Sequence, residues 1–148
     1  MEVERLAEIR AALDRGDHDE AYRLVSAISV AFAKNQIGLS NAQRAEVSLA
    51  ASRALIGLGD PAAFEEAAEH LLTYAALAGT LAPSTLITVA RTLLDLSNRI
   101  RMRADHDPDG VLYARYRGQA FEYVERCRLL TPTDPAVDAL RRDIVAIP

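Results

Sequence analysis

Three arginines recur in one local setting along this chain, and an arginine so placed can grip a carboxylate. Arg10, Arg53 and Arg91 each sit in an apolar stretch closed by a small residue and then a short acid or amide. The stretches are Ile9-Arg10-Ala11-Ala12-Leu13-Asp14-Arg15-Gly16-Asp17, Ser52-Arg53-Ala54-Leu55-Ile56-Gly57-Leu58-Gly59-Asp60 and Ala90-Arg91-Thr92-Leu93-Leu94-Asp95-Leu96-Ser97-Asn98. A guanidinium presents a planar fork of donors that matches a carboxylate in two bonds. If the three settings are equivalent, stacked hairpins would bring the arginines one above another, a row of cations suited to an acidic or C-terminal segment. The competing reading pairs Arg10 with Asp14 and Arg91 with Asp95, each four residues on, as ordinary helix-surface salt bridges of little energetic weight. Arg53 has Gly57 at that place and escapes the second reading.

A second constellation is Asp105-His106-Asp107-Pro108-Asp109-Gly110. Carboxylates at Asp105, Asp107 and Asp109, with glycine next, match the opening of a calcium loop between two helices. Leu112 also fits the apolar position that follows. The closing bidentate glutamate is missing, since the twelfth position is Tyr116 and Glu122 lies too far along. The plainer reading is a solvated loop in which Asp109 caps the next helix. Arg99, Arg101, Arg103, Arg115, Arg117, Arg126 and Arg128 crowd the same region beside Tyr113 and Tyr116, a mixture that could meet phosphates and bases. Acids intermingle with them, which favours a mixed, solvated face over nucleic acid.

Catalytic patterns are sparse. His18 falls in a turn, His70 four residues after Glu66, and His106 in the acidic loop, so no two histidines share a metal-binding spacing. Cys127 sits at a small, apolar-patterned position and reads as packing. There is no glycine-rich phosphate loop. No catalytic residue and no cofactor are expected, calcium at the aspartate loop being the one alternative.

The elements that must position these residues are helices. In 148 residues, half apolar and without tryptophan, alanine and leucine dominate, a composition suited to close helix packing and an all-α fold. One domain, residues 1–148, is the default for this length. The net charge of −4 and a pI near 5.4 argue against a bulk basic face for nucleic acid or an anionic membrane. A single cysteine fits a reducing cytosol. Met1-Glu2-Val3-Glu4 lacks the pattern of a signal peptide, and Leu71 to Pro83 is too short to span a bilayer. A cytoplasmic location is therefore expected, away from membranes.

Apolar spacing of three and four predicts a first helix through Val3, Leu6, Ile9 and Leu13, ended by Gly16. Asp17 opens a second, with Ala21, Leu24, Val25, Ile28 and Phe32 inward, fading near Lys34; Gly38 is the breaker of the loop that follows. A third runs from about Asn41 to Leu58, packing Ala45, Leu49, Ser52, Leu55 and Ile56. Gly59-Asp60-Pro61 supplies stop, cap and first-turn proline for a fourth, Pro61 to about Ala78, burying Phe64, Ala67, Ala68, Leu71, Leu72 and Ala75. The fifth starts near Ser84 and is expected to continue through Ser97-Asn98, since neither residue is a strong stop. The sixth spans about Val111 to Leu130 and the last, capped by Asp134, about Ala136 to Val145. Seven helices in three antiparallel hairpins (about 2–34, 41–78 and 84–130) plus a capping helix (about 136–146) result.

These turns carry a resemblance. Gly16-Asp17-His18-Asp19-Glu20-Ala21 resembles the turn between the two helices of a tetratricopeptide repeat. Leu58-Gly59-Asp60 is similar to the same turn, with Ala67 as its alanine after an insertion. Ala120, Val124, Cys127 and Pro132 resemble the second half of a repeat, and Thr131-Pro132-Thr133-Asp134-Pro135 looks like an inter-repeat linker. The spacing of the arginines, 43 residues and then 38, departs from the family period of about 34, and the large aromatic early in the first helix is absent. The resemblance is to a divergent, tetratricopeptide-like repeat. It implies a right-handed superhelix whose concave side receives a peptide or helix of a partner protein, as in adaptors, partner-specific chaperones and regulatory domains. The alternative class is an all-helical enzyme or metal-responsive protein centred on the Asp105 to Gly110 loop. The partner's identity and the oligomeric state are not legible in the residues.

Overall fold

The computed structural model describes residues 2–146, the side chains of Glu2, Val3 and Ala104 excepted. Val3, placed in the first apolar stripe, thus lies outside the described side chains. The chain forms α1 (Glu2–Asp14), α2 (His18–Ala33), α3 (Asn41–Leu58), α4 (Phe64–Ala78), α5 (Pro83–Arg101), α6 (Val111–Leu130) and α7 (Pro135–Val145), with 3-10 turns at Pro61–Ala63 and Ala104–His106. Among the described residues there is no strand, so the all-α expectation stands.

Turn chemistry sets these boundaries. Gly16, at φ 74°, donates to the Leu13 carbonyl at 3.0 Å while Asp17 N–H reaches the Ala12 carbonyl at 2.8 Å, which satisfies the frayed end of α1. The Asp17 side chain then accepts from Glu20 N–H and opens α2. At the end of α2 the left-handed residue is Asn35, φ 57°, and Gln36 N–H returns to the Ala31 carbonyl at 2.9 Å. Gly38 does not break the chain as expected, because the asparagine has already turned it. Ser40 and Gln43 cap α3 reciprocally through side chain and backbone. Gly59, φ 73°, closes α3, and the Asp60 carboxylate accepts from Ala62 N–H. Proline at the first position is followed by one 3-10 turn, so α4 begins at Phe64 rather than at Pro61.

Contacts divide the chain into two compact units, Met1–Ala78 and Gly79–Pro148. In the first, α1 packs on α2 and α3, α2 on α3, and α3 on α4. Leu6, Ile9, Val25, Ile28, Val47, Ala50 and Ala51 form one core cluster, with Leu13 and Leu24 half-buried against it. Ala12, Ala21 and Ala54 form another, where small side chains bring three helices close. Phe64, Ala67, Ala68, Leu71 and Ala75 of α4 are buried as expected, but Leu72 is 45% exposed. It follows Leu71 by one residue and so points about 100° away from the buried stripe.

In the second unit α5 packs on α6, and α6 on α7. Its core holds Leu86, Val89, Leu93, Leu96 and Ile100 of α5, Tyr116, Ala120, Val124 and Cys127 of α6, and Val137, Leu140 and Ile144 of α7. Helix α5 runs unbroken through Ser97-Asn98 to Arg101. Ser97 is fully buried and its hydroxyl donates to the Leu94 carbonyl at 2.8 Å, so the helix itself satisfies the residue that could have broken it.

Candidate functional site

The three arginines meet different surroundings. Arg10 on α1 donates through Nε to the Glu46 carboxylate of α3 rather than to Asp14. A neighbouring helix supplies the nearer acid, so the pair ties α1 to α3 across the packing seam. Arg53 on α3 and Arg91 on α5 are exposed, and among the described residues neither guanidinium meets an acid or an acceptor. Asp95, the expected partner of Arg91, pairs instead with Arg99 at 3.7 Å, four residues beyond it, the orientation the helix dipole favours. Arg10 and Arg53 belong to the first unit and Arg91 to the second.

In the aspartate loop the carboxylates are committed elsewhere. Asp107 accepts from Leu112 N–H through Oδ1 and from Tyr113 N–H through Oδ2, each at 3.0 Å. Both oxygens thus satisfy free donors at the start of α6. Asp109 does not cap that helix, contrary to expectation; Gly110, φ 69°, turns the chain so that the acid three residues back reaches the helix end. Asp105 lies 3.6 Å from Arg103 and 3.3 Å from His106. Among the described residues no group of three or more His, Cys, Asp or Glu is arranged to hold a metal ion.

Other residues singled out in the sequence take structural places. His70 stands 3.6 Å from Glu66 on α4. The imidazole of His18 lies directly on Gly57 of α3, where a Cβ would overlap the ring. Cys127 is buried and its thiol donates to the Pro83 carbonyl at 3.4 Å, joining α6 to the start of α5. Of the crowded basic residues, Arg128 and Arg141 both meet Glu125, at 3.3 and 2.6 Å, and Arg126 covers the Tyr123 ring. No helix among the described residues is long and apolar enough to cross a membrane.

One concavity went unread in the sequence. Between α6 and α7 opens a cleft of about 410 Å³ lined by Tyr113, Arg117, Gly118 and Phe121 of α6 and Ile144 and Val145 of α7. Arg117 donates to the Ile144 and Val145 carbonyls at 3.0 and 3.4 Å and so holds the last turn of α7. Arg101 stands over Tyr113 at 5.7 Å and Arg141 over Phe121 at 5.6 Å, so each aromatic wall carries a cation. No local motif marks it, although Gly118, exposed on α6, interrupts that helix's run of better helix formers. A glycine inside a helix costs about 1 kcal/mol relative to alanine, and a Cβ at Gly118 would meet nothing within 4 Å.

Comparison with protein-family models, with curated proteins and with solved structures finds no match to this chain.

Proposed function

We propose that this protein is a divergent tetratricopeptide-like interaction module, an intracellular adaptor or chaperone-like protein that holds an acidic segment of a partner protein. The observations that carry the reading are Arg53 in the first unit and Arg91 in the second, each an exposed guanidinium in a matching sequence setting and neither engaged by an acid among the described residues. Arg10, Arg23, Arg99 and Arg141, by contrast, each meet an acid of the chain, whereas Arg115 and Arg142 share the open setting of Arg53 and Arg91 among the described residues. A guanidinium left with its full set of donors is suited to a carboxylate from outside, where a charge-assisted bond is worth about 1.5–3 kcal/mol. The alternative of an enzyme or metal-responsive protein draws no support from the aspartate loop, since the Asp107 carboxylate serves the start of α6.

The test is capture of the native partner on immobilised protein, followed by binding of the identified partner to Arg53→Glu and Arg91→Glu. Both substitutions are on exposed helix faces, so circular dichroism should stay unchanged. Each reversal is expected to weaken binding about tenfold or more. Affinity unchanged in both variants would remove the arginines from the interface and this reading with them.

A further inference from the structure

Helix α7 seats on the α5–α6 hairpin through one stripe of side chains and a short set of polar ties. Val137, Leu140 and Ile144, at steps of three and four, are buried as the helix packs on α6 and the edge of α5. Arg141 donates to Glu125 of α6 at 2.6 Å and stands over the Phe121 ring at 5.6 Å, while Arg117 of α6 holds the Ile144 and Val145 carbonyls. Each of these polar partners belongs to α6, and α5 packs on α6 directly. The hairpin therefore presents the whole seat, whichever copy of the chain supplies the helix.

What ties α7 to its own hairpin is the turn Thr131-Pro132-Thr133-Asp134, closed by a bond from Asp134 N–H to the Thr131 carbonyl at 3.2 Å. The helix carries its own start, since the Asp134 carboxylate accepts from Ala136 N–H at 2.9 Å and Pro135 stands at the first position. Opening the turn gives up that one bond and leaves α7 capped. Pro132 and Pro135 keep α6 and α7 from joining into one rod. An 11-residue helix is too short to persist by itself in water, so a released α7 must seat again, on its own hairpin or on another. We infer that α7 is exchanged between copies of this chain, the α7 of each seating on the α5–α6 hairpin of the other in a reciprocal dimer. Exchange of an identical element needs no new surface, because the contacts of the dimer are those of the single chain. Within one copy the turn holds α7 at an effective concentration on the order of millimolar, so the dimer grows in as the chain approaches that range. Exchange of α7 is independent of Arg53 and Arg91 and adds an assembly state to the functional reading.

Charge exchange at the Glu125–Arg141 pair supplies the test. Glu125→Arg sets a second cation against Arg141, and Arg141→Glu sets a second carboxylate against Glu125. Each variant alone is expected to melt below the parent and to stay monomeric at micromolar concentration in analytical ultracentrifugation. Mixed in equal amounts and incubated just below their melting temperatures, the two should form a dimer that melts above either alone. In that dimer each hairpin meets the opposite charge, which only the other chain's α7 supplies. A further variant does not depend on these charges. Deleting Pro132 and Thr133 leaves too little chain for α7 to fold back on its own hairpin, and should turn the full chain into a dimer at micromolar concentration with the helix content of the parent.

A mixture that stays monomeric overturns the inference, as does a deletion variant that remains monomeric or loses helix content. A dimer as abundant in either charge variant alone as in the mixture would place the contact elsewhere on the surface, and would also overturn it. Should a charge variant be unfolded alone, recovery of helix content on mixing supports exchange and its absence counts against it. These outcomes are separable from failure of the functional proposal. A monomeric chain that still loses its partner on reversing Arg53 and Arg91 leaves that proposal standing and removes only the exchange.

Discussion

Asp107 places both carboxylate oxygens on backbone donors of α6, Leu112 N–H and Tyr113 N–H, each at 3.0 Å. A capping side chain removed to alanine costs about 0.5–2 kcal/mol, and a doubly engaged carboxylate at the positive end of a helix belongs in the upper part of that range. Asp107→Ala is therefore expected to lower unfolding stability by about 1–2 kcal/mol, with Asp107→Asn in between because one acceptor remains. Urea denaturation followed at 222 nm measures both. An unchanged midpoint for Asp107→Ala would mean the loop holds α6 by other means. The alternation of three aspartates was legible, but which of them serves the helix was not. Asp109 stands next to the turn in sequence, whereas the bend at Gly110 brings Asp107 around to the helix end. Arg10 shows the same limit from another side. Asp14 is its neighbour along α1, yet the acid it meets is Glu46, delivered by the packing of α3.

At the scale of elements, helix ends written in local chemistry could be read and contacts between helices could not. Asn41 to Leu58 and the stop at Ala78 follow from Ser40, Gly59-Asp60-Pro61 and Gly79, each of which caps or turns the backbone by its own side chain or lack of one. The contact between His18 and Gly57 has no such local mark. His18 lies in the first turn of α2, and its ring occupies the place a Cβ at Gly57 of α3 would take. Glycine there forgoes about 1 kcal/mol of helix propensity, and the close approach of the imidazole offsets it. Gly57→Ala should thus be neutral or destabilising in the parent, because the ring must move. In a His18→Ala background the same change should stabilise by about 0.5–1 kcal/mol. A double-mutant cycle from urea midpoints reads the difference, and a coupling near zero would show that the ring moves aside freely.

Across the whole molecule, the split at Ala78 falls on the Gly79-Thr80 stop, which the sequence marks no more strongly than its other turns; compactness depends on which helices touch, and that is not written locally. Charge, by contrast, is additive and was readable in full: −4 at neutral pH, with acids and bases interspersed. Its link to stability runs through two half-buried carboxylates, each about a third exposed. Hydrogen bonding from Arg23 holds Glu20 below its ordinary value of 4.5, and hydrogen bonding from Arg141, helped by Arg128, does the same for Glu125. A carboxyl depressed on folding adds stability above its unfolded value, and that contribution disappears as the pH falls through the depressed one. From neutrality to about pH 5 these pairs should therefore contribute a constant amount, which declines below the ordinary carboxylate range. The contribution is small because solvent screens both pairs. A Glu20→Gln, Glu125→Gln double variant should accordingly show a slightly lower urea midpoint than the parent at pH 7 and low salt. The two curves should converge as the pH drops below about 4, and should also close together at neutral pH when salt is raised to about 1 M, where the Debye length is near 3 Å. A midpoint difference that persists unchanged into acid would assign the effect to packing of the long side chains rather than to their charge.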